Sequence, residues 1–364
     1  MNTTQIQKIR SQYILREIFG HVSAKQKFEI AKHSKALQDK LNIDKEDYKT
    51  FNDVIFEVSL SKQMGFFINT YFYDDCFEFY SGDKKIVDTC IDPDDDIKKV
   101  KIVVKKEVKN FRRLFEGTII EKLKVLKFNR NNVKDMSYMF YSCKFLKEIE
   151  FNKFNTSQVK DMSYMFARCL NLKKIEINSD TKNVENMSYM FFGCINLEKI
   201  NFEKIDTSKV TDFIKMFYGC TSLKKLDLLK FNTENAIFMS GMFGSCQNLE
   251  QILFYFITKN VVDMNEMFHD CSSLKSLNLR HFDTKQVVDM SKMFDSCTKL
   301  EELNLSNFDT SNVNDMSYMF FNCRSLKELN LLSFNTEAVN STRNMFEKVN
   351  PKMIIHAPLS LLTY

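Results

Sequence analysis

The sequence predicts an α/β solenoid, in which an array of strand-plus-short-helix units with a parallel sheet follows a small α+β N-terminal region. Three features predict it: cysteines recur every 25 or 26 residues, a Met-Phe pair precedes each, and a leucine pattern follows each. A single unit would leave its apolar side in water, so the recurrence indicates units stacked side by side. The recurring cysteines are Cys143, Cys169, Cys194, Cys220, Cys246, Cys271, Cys297 and Cys323.

Residues 308–331 form the clearest unit. Asp315 is a good helix N-cap, because its carboxylate can accept hydrogen bonds from the free amides of a first turn. Apolar residues then fall at i, i+3, i+4 and i+7, the stripe of a short amphipathic helix; they are Met316, Met319, Phe320 and Cys323. The next leucines follow L-x-x-L-x-L, whose last two share one face of a short strand; they are Leu326, Leu329 and Leu331.

Weaker copies of the unit stand at both ends of the series, as the end faces of a stacked array require. The array is therefore expected to hold about ten units of 25–26 residues over residues 108–350, with residues 351–364 as a C-terminal cap. Alternating segments such as "DVIFEVSL" predict a β-rich segment at 44–107 that caps the first unit. Apolar residues at helical spacing predict a helical module at 1–43.

The repeat resembles that of the BspA-like leucine-rich-repeat family, in the Mycoplasma-type branch. Its pattern, F-[ND]-T-x-x-V-x-D-M-S-x-M-F-x-x-C-x-x-L-x-x-L-x-L, is carried by "FNTSQVKDMSYMFARCLNLKKIEI" and "FDTSNVNDMSYMFFNCRSLKELNL". The likeness covers about residues 108–350. It implies a leucine-rich-repeat-like fold and a habit of binding other macromolecules, often at surfaces. It implies no reaction.

The start of the chain is similar to an F-box, the helical motif that docks a substrate receptor onto a ubiquitin ligase. The similar stretch is "YILREIFGHVSAKQKFEIAKHSKALQDKL", although the usual Leu-Pro opening is missing. The resemblance implies that four apolar residues contact the ligase adaptor while the solenoid selects the substrate; they are Ile14, Leu15, Ile18 and Phe19. A helical cap or an independent packing domain is the alternative.

Composition narrows the classes of partner and compartment. The chain is 44% hydrophobic and 27% charged, which is enough apolar material for a folded core. Its net charge of +5 divides into 52 basic and 47 acidic residues, too balanced to predict nucleic-acid binding. No apolar run is long enough for a membrane span, and no signal peptide is visible. Ten cysteines without an export signal predict a reducing, cytoplasmic location, with the cell surface as the minor alternative.

The sequence carries no motif for catalysis or cofactor binding. G-x-G-x-x-G, the phosphate-binding loop and H-E-x-x-H are all absent, so an enzyme, a cofactor and a metal site are not expected. Cysteines in adjacent stacked units would lie close enough for disulfides. A reduced packing column is the preferred interpretation, because the thiol is a small buried apolar group at the inward end of the helix stripe and Val349 takes that position in the last unit.

The residues between the strand leucines predict the binding surface, since they face outward on the sheet. Six of them are polar candidates for partner contacts: Glu150, Glu176, Asp227, Asn278, Asn304 and Asn330. One unit departs from the pattern, with Phe238 in place of the capping aspartate and with Leu253 and Tyr255 where polar residues are expected. An exposed apolar patch is typical of an interface, while drift in a tolerant repeat is the alternative. The sequence thus predicts a non-enzymatic scaffold that binds a protein partner; a ubiquitin-ligase substrate receptor and a surface adhesin are the alternatives.

Overall fold

The computed structural model of the chain describes residues 34–40, 54–73, 76–105 and 108–362. Within the region expected to form a helical module, it describes one short helix, α1 (Lys35–Lys40). The residues proposed to contact a ligase adaptor lie outside the described part of the chain; they are Ile14, Leu15, Ile18 and Phe19.

Sixteen short strands occur in the described ranges, together with a second helix, α2 (Leu359–Leu362), near the end. The strands are β1 (Val54–Leu60), β2 (Gly65–Phe66), β3 (Phe77–Ser81), β4 (Lys84–Ile86), β5 (Cys90–Ile91), β6 (Lys99–Val104), β7 (Ile120–Phe128), β8 (Glu148–Ile149), β9 (Lys174–Glu176), β10 (Lys199–Asn201), β11 (Lys225–Asp227), β12 (Gln251–Leu253), β13 (Ser276–Leu277), β14 (Glu302–Leu303), β15 (Glu328–Asn330) and β16 (Ile354–His356). Two 3-10 helices, Pro93–Asp95 and Phe151–Lys153, complete the elements.

The N-terminal strands continue into the solenoid as one sheet with the order β4-β3-β6-β1-β7-β8. Strand β1 pairs antiparallel with β6 and β7, whereas β7 pairs in parallel with β8. Alternate residues of β1 are buried, as expected for a strand with one face on a core. Among them, Phe56 lies 5.6 Å from Phe115 and 5.7 Å from Phe154, ring centroid to ring centroid. The N-terminal sheet therefore covers the first coil of the solenoid.

The rest of the chain is a β-solenoid whose coils stack in parallel. The strands pair as β9 with β10, β11 with β12, β13 with β14 and β15 with β16, always in parallel. Nine further parallel bridges link the aspartate position of each coil to the next, from Asn110 and Asp135 to Asp315 and Ser341. The parallel stacking predicted from the repeat is therefore present.

The prediction of a short helix in each unit is wrong. In the Met-Phe segment, alternate amides bond to the next coil and the others close tight turns. Thus the Phe217 N–H donates to the Met242 carbonyl (2.9 Å), and the Met216 N–H donates to the Phe213 carbonyl (3.2 Å). In an α-helix, each of these amides would instead donate to the carbonyl four residues back in its own coil. Two residues per segment have a left-handed backbone, which ends any helical run; in this coil they are Lys215 (φ 48°) and Gly219 (φ 74°).

The aspartate predicted as a helix cap has a related role in the turn. Asp315 Oδ1 accepts a hydrogen bond from the Ser317 N–H at 2.7 Å, and Asp161 Oδ1 accepts one from the Ser163 N–H at 2.8 Å. An acceptor two residues before the amide is the Asx turn, which Asp and Asn favour. The side chain thus satisfies an amide as expected, although no helix follows it.

Columns of identical side chains fill the core between coils, and three of them show regular contacts from one coil to the next. Phenylalanine rings lie nearly parallel, as between Phe191 and Phe217 (centroids 5.9 Å apart, 4°). Each column cysteine donates its thiol to a phenylalanine carbonyl of the preceding coil, as Cys246 does to Phe217 at 3.1 Å. Buried threonines join equivalent turns: Thr284 Oγ1 donates to the Asp309 carbonyl.

No disulfide joins any of the ten cysteines, all of which lie in the described ranges, and the eight of the column are buried. Burial raises the pKa of the Cys246 thiol to about 12, because the thiolate would lose its hydration. The thiol therefore stays protonated at neutral pH and remains a hydrogen-bond donor. This is the arrangement expected of a packing column.

Candidate interaction surface

One coil, residues 238–262, replaces polar surface positions with apolar residues; we call it the divergent coil. Beyond β12 its chain stays extended, and exposed residues alternate with more buried ones from Leu253 to Thr258. Because side chains two residues apart in an extended chain share a side, the exposed residues form one row. We call this row the apolar stripe: Leu253, Tyr255 and Ile257, which are 41%, 54% and 39% exposed.

Two of these positions cap turns in the neighbouring coils. The residue equivalent to Ile257 is otherwise Asp or Asn, which accepts from the amide two residues on, as Asp283 does from Lys285 at 3.1 Å. The residue equivalent to Leu253 is Asp227 in the preceding coil, and it accepts from the Leu229 amide at 3.1 Å. Aliphatic side chains have no acceptor atom, so the divergent coil lacks both bonds.

Phe238 repeats this substitution in a third column. It lies in the bridge column between Asp212 and Asp263, both of which cap the turn that follows with Oδ1. Phe238 is 39% exposed and cannot do so. A hydrogen bond of this kind contributes about 0.5–1.5 kcal/mol to stability. Three such bonds are therefore missing from a single coil, and each is replaced by apolar surface in contact with water.

Neighbouring coils extend the apolar stripe on both sides. Leu229, in the preceding coil, stands two residues beyond the Asp227–Leu253 pair of β11 and β12, and it is exposed. On the other side, the rings of Tyr255 and His281 lie 4.1 Å apart at 44°. The stripe is therefore continuous with an apolar neighbour and an aromatic one.

The structure places the residues predicted from the sequence to contact a partner at different parts of the surface. It brings Leu253 and Tyr255 together, whereas Phe238 occupies a different column of the same coil. The polar candidates Glu176, Asp227 and Asn330 end their strands, Asn278 and Asn304 directly follow theirs, and Glu150 is half-buried beside a 3-10 helix. Several of these side chains cap their own turns, as Asn304 Oδ1 does for the Ser306 N–H at 3.0 Å.

Ile257 was missed by the sequence reasoning. The sequence signal was its column, which otherwise holds Asp or Asn directly before the threonine of each turn. These residues are Asn155, Asp180, Asp206, Asn232, Asp283, Asp309 and Asn335. A single isoleucine in such a column marks the site as clearly as Phe238 does in its own.

Charged residues on the solenoid surface pair between adjacent coils. Lys160 and Glu185 lie 2.7 Å apart, and Lys259 and Glu234 lie 2.8 Å apart. The second pair stands in and beside the divergent coil, and the ammonium of Lys259 lowers the pKa of the Glu234 carboxyl. Such exposed pairs contribute little stability, and within each pair the two charges neutralise one another.

In the parts of the chain that the structure describes, no group of three or more His, Cys, Asp or Glu side chains is placed to hold a metal ion. Over the same ranges, none of the helices has the length and apolar character needed to cross a bilayer.

Comparison with known proteins identifies the repeats. The family described as "Mycoplasma protein of unknown function, DUF285" matches residues 88–199, 171–278 and 263–353. A search of curated proteins found no match. A solved leucine-rich repeat protein from Eubacterium ventriosum is 20% identical, with a TM-score of 0.35 over 60% of this chain; the match spans 57% of that protein, less than two thirds of its length. The three family matches together extend over most of the chain and confirm the predicted resemblance to the Mycoplasma-type repeat. The chain therefore belongs to the family described as Mycoplasma protein of unknown function, DUF285.

Proposed function

We propose that the protein is a non-enzymatic interaction scaffold that binds a protein partner through the apolar stripe of the divergent coil. One observation carries the proposal: positions that are polar turn caps in the neighbouring coils become apolar together in one coil and remain exposed. Drift alone gives no reason for several stabilising bonds to be lost in the same coil. An interface would explain the loss, because a partner that covers the stripe removes apolar surface from water, which is favourable.

The proposed interface has an apolar centre and a polar rim. Leu253, Tyr255 and Ile257 form the centre, and tyrosine is among the residues that contribute most at protein interfaces. Asp227 and Asn278, in the coils on either side, belong to the rim, where hydrogen bonds orient a partner. The other polar candidates, Glu150, Glu176, Asn304 and Asn330, would extend contacts along the solenoid. Phe238 would serve a second contact, since it lies in another column.

Two narrower functions remain alternatives within this proposal. A ubiquitin-ligase receptor would capture the ligase adaptor through Ile14, Leu15, Ile18 and Phe19, and removing residues 1–43 would abolish that capture. A surface adhesin would be labelled on intact cells by a reagent that does not cross membranes. The cytoplasmic scaffold would be labelled only after lysis.

Charge placed in the stripe should abolish partner binding. We expect the double variant Leu253→Lys with Tyr255→Asp to weaken the partner's affinity at least tenfold, because a charged side chain at an interface centre must lose its hydration. The partner is first captured from native extracts and identified by mass spectrometry. Its affinity for purified wild-type and variant chains is then measured by calorimetry.

A matched control separates this effect from general surface damage. Leu332 occupies the column of Tyr255 in a later coil and is 64% exposed, so Leu332→Lys should leave the affinity unchanged. The stripe variant should change the free energy of unfolding by less than about 1 kcal/mol, because both substitutions are at the surface. Binding that survives the stripe variant, or that Leu332→Lys lowers equally, would show that the stripe is not the interface.

A further inference from the structure

The last coil of the ladder, residues 341–350, leaves a row of backbone donors open. In each preceding coil the amides at four alternate positions donate to the next coil, as Met316, Tyr318, Phe320 and Asn322 do to carbonyls of the last one. The equivalent amides of the last coil belong to Thr342, Asn344, Phe346 and Lys348. Within the ranges that the structure describes, no acceptor lies opposite them.

From Thr342 to Lys348 this edge presents donors without acceptors, and the Asn340 carbonyl, whose equivalents accept from the next coil, lies just before them. The alternate carbonyls of the last coil, such as Met345, point back and accept from the preceding coil. Asn344 (φ 54°) and Lys348 (φ 60°) have the left-handed backbone that repeats through the ladder, where alternate amides face the same side. Aligned peptide dipoles add, so the edge carries partial positive charge. It requires a group that supplies acceptors.

Apolar surface lies beside these donors. The Phe346 ring stacks on Phe320 (6.0 Å, 4°) and has no partner on its outer face among the described rings, whereas Phe320 is also covered by Phe294 (5.7 Å, 6°). Phe346 and Met345 line an open cavity of about 670 Å³ at this end. The Thr342 hydroxyl, which also lines the cavity, is buried and has no hydrogen-bond partner in the described part of the chain.

Helix α2 covers one side of the cavity only. Ser360 Oγ lies 2.7 Å from Thr336 Oγ1, and Leu361 is buried. The opposite end of the solenoid is closed differently: the Leu114 carbonyl accepts from Asn69, and the Arg112 carbonyl accepts from the Tyr73 hydroxyl. The first coil therefore has no fully free acceptor edge to stack on the last coil of a second copy. Two last coils cannot pair either, because both present donors.

We propose that the open end binds a peptide segment of a partner protein, folded in the same consecutive tight turns as a Met-Phe segment, as one further rung of the ladder. Its alternate carbonyls accept from the amides of Thr342, Asn344, Phe346 and Lys348, and an apolar side chain packs on the outer face of Phe346. The solenoid itself indicates what the occupant should be, because each Met-Phe segment binds to the preceding one through the same hydrogen bonds. Addition of a strand to an open edge is a general mode of peptide recognition. This site is separate from the apolar stripe.

A synthetic peptide that copies residues 314–323 tests the proposal. We expect the fluorescently labelled peptide to bind the full chain in an anisotropy titration. We also expect the amides of Thr342, Asn344, Phe346 and Lys348 to exchange slowly with deuterium only when the peptide is present. The same peptide with serine in place of its Met-Phe pair should bind at least tenfold more weakly.

Two variants of the chain locate the site. Phe346→Ala should weaken the peptide at least tenfold, while Leu253→Lys, in the apolar stripe, should leave its affinity unchanged, so the two proposals fail separately. Binding that leaves the four amides unprotected would overturn the proposal. Equal protection of the amides by acetate alone would also overturn it and would indicate an anion site. Protection in the free chain, together with self-association in sedimentation, would overturn it too and would indicate a second copy as the occupant.

Discussion

Replacing Phe217 with alanine should lower the free energy of unfolding by about 3–5 kcal/mol, the usual cost of deleting a fully buried aromatic ring. Phe217 lies between Phe191 and Phe243, with ring centroids 5.9 Å away on both sides, and its side chain is inaccessible to water. Removal leaves a cavity that two coils border, and rigid neighbours collapse into it only in part. Urea denaturation followed by circular dichroism measures the change.

The same substitution at the end of the column is the control. Phe346 is half-buried and, among the described residues, has a ring partner on one side only; Phe346→Ala should therefore cost about 1–2 kcal/mol, since less surface and fewer contacts are lost. The difference between the variants reports how much a second neighbouring coil contributes. Equal losses would mean that the coils do not support one another through this column.

Replacing Thr284 with valine should cost about 2–3 kcal/mol although the shape of the side chain is retained, because buried polar groups lose their partner. Thr284 is buried; its hydroxyl donates to the Asp309 carbonyl at 2.9 Å and accepts from the Asp309 N–H at 2.8 Å. A valine methyl group at that place can neither donate nor accept. Thermal and urea unfolding of the variant measure the loss.

Thr284→Ser isolates the hydroxyl from the methyl group. Serine keeps both hydrogen bonds to Asp309 and deletes one buried methyl, which should cost about 1 kcal/mol. The hydroxyl is thus responsible for most of the loss if valine is clearly the more damaging variant. A serine variant as unstable as the valine variant would instead assign the effect to packing.

The inward-facing residues of each coil were predictable from the sequence, but the backbone that presents them was not. Met316, Met319, Phe320 and Cys323 are all buried, as their i, i+3, i+4, i+7 spacing predicted. That spacing also arises when consecutive tight turns place the same side chains inward. The choice between the two depends on whether amides bond within the coil or to the next one, and a neighbouring coil supplies acceptors that a single unit does not display.

Some left-handed positions did leave a signal in the sequence. The residue before each column cysteine has a positive φ, and it is often one that tolerates this backbone, as Gly193, Gly219, Asp270 and Asn322 do. The residue four positions earlier gives no such signal, because it is a tyrosine in several coils. Tyr138 (φ 58°) is an example. Stacking on the Tyr164 ring, 4.4 Å away, accompanies that unfavourable conformation.

Of the two candidate surfaces, one was also predictable from the sequence and the other was not. The departures at Phe238 and Leu253 were visible in the sequence because they interrupt columns of polar residues, and Tyr255 stands two residues beyond Leu253 in the same strand pattern. The open donors at Asn344 and Phe346 were not, since no residue type reveals the direction of its amide. That direction is a property of the stacked backbone.

The direction of the Phe217 amide is the most direct test of the stacked-coil account. Through-hydrogen-bond scalar couplings, measured by NMR on deuterated protein, identify the carbonyl that each amide meets. The account predicts a coupling from the Phe217 N–H to the Met242 carbonyl of the next coil, which lies 2.9 Å away. A coupling to the Phe213 carbonyl, four residues back in the same coil, would contradict it.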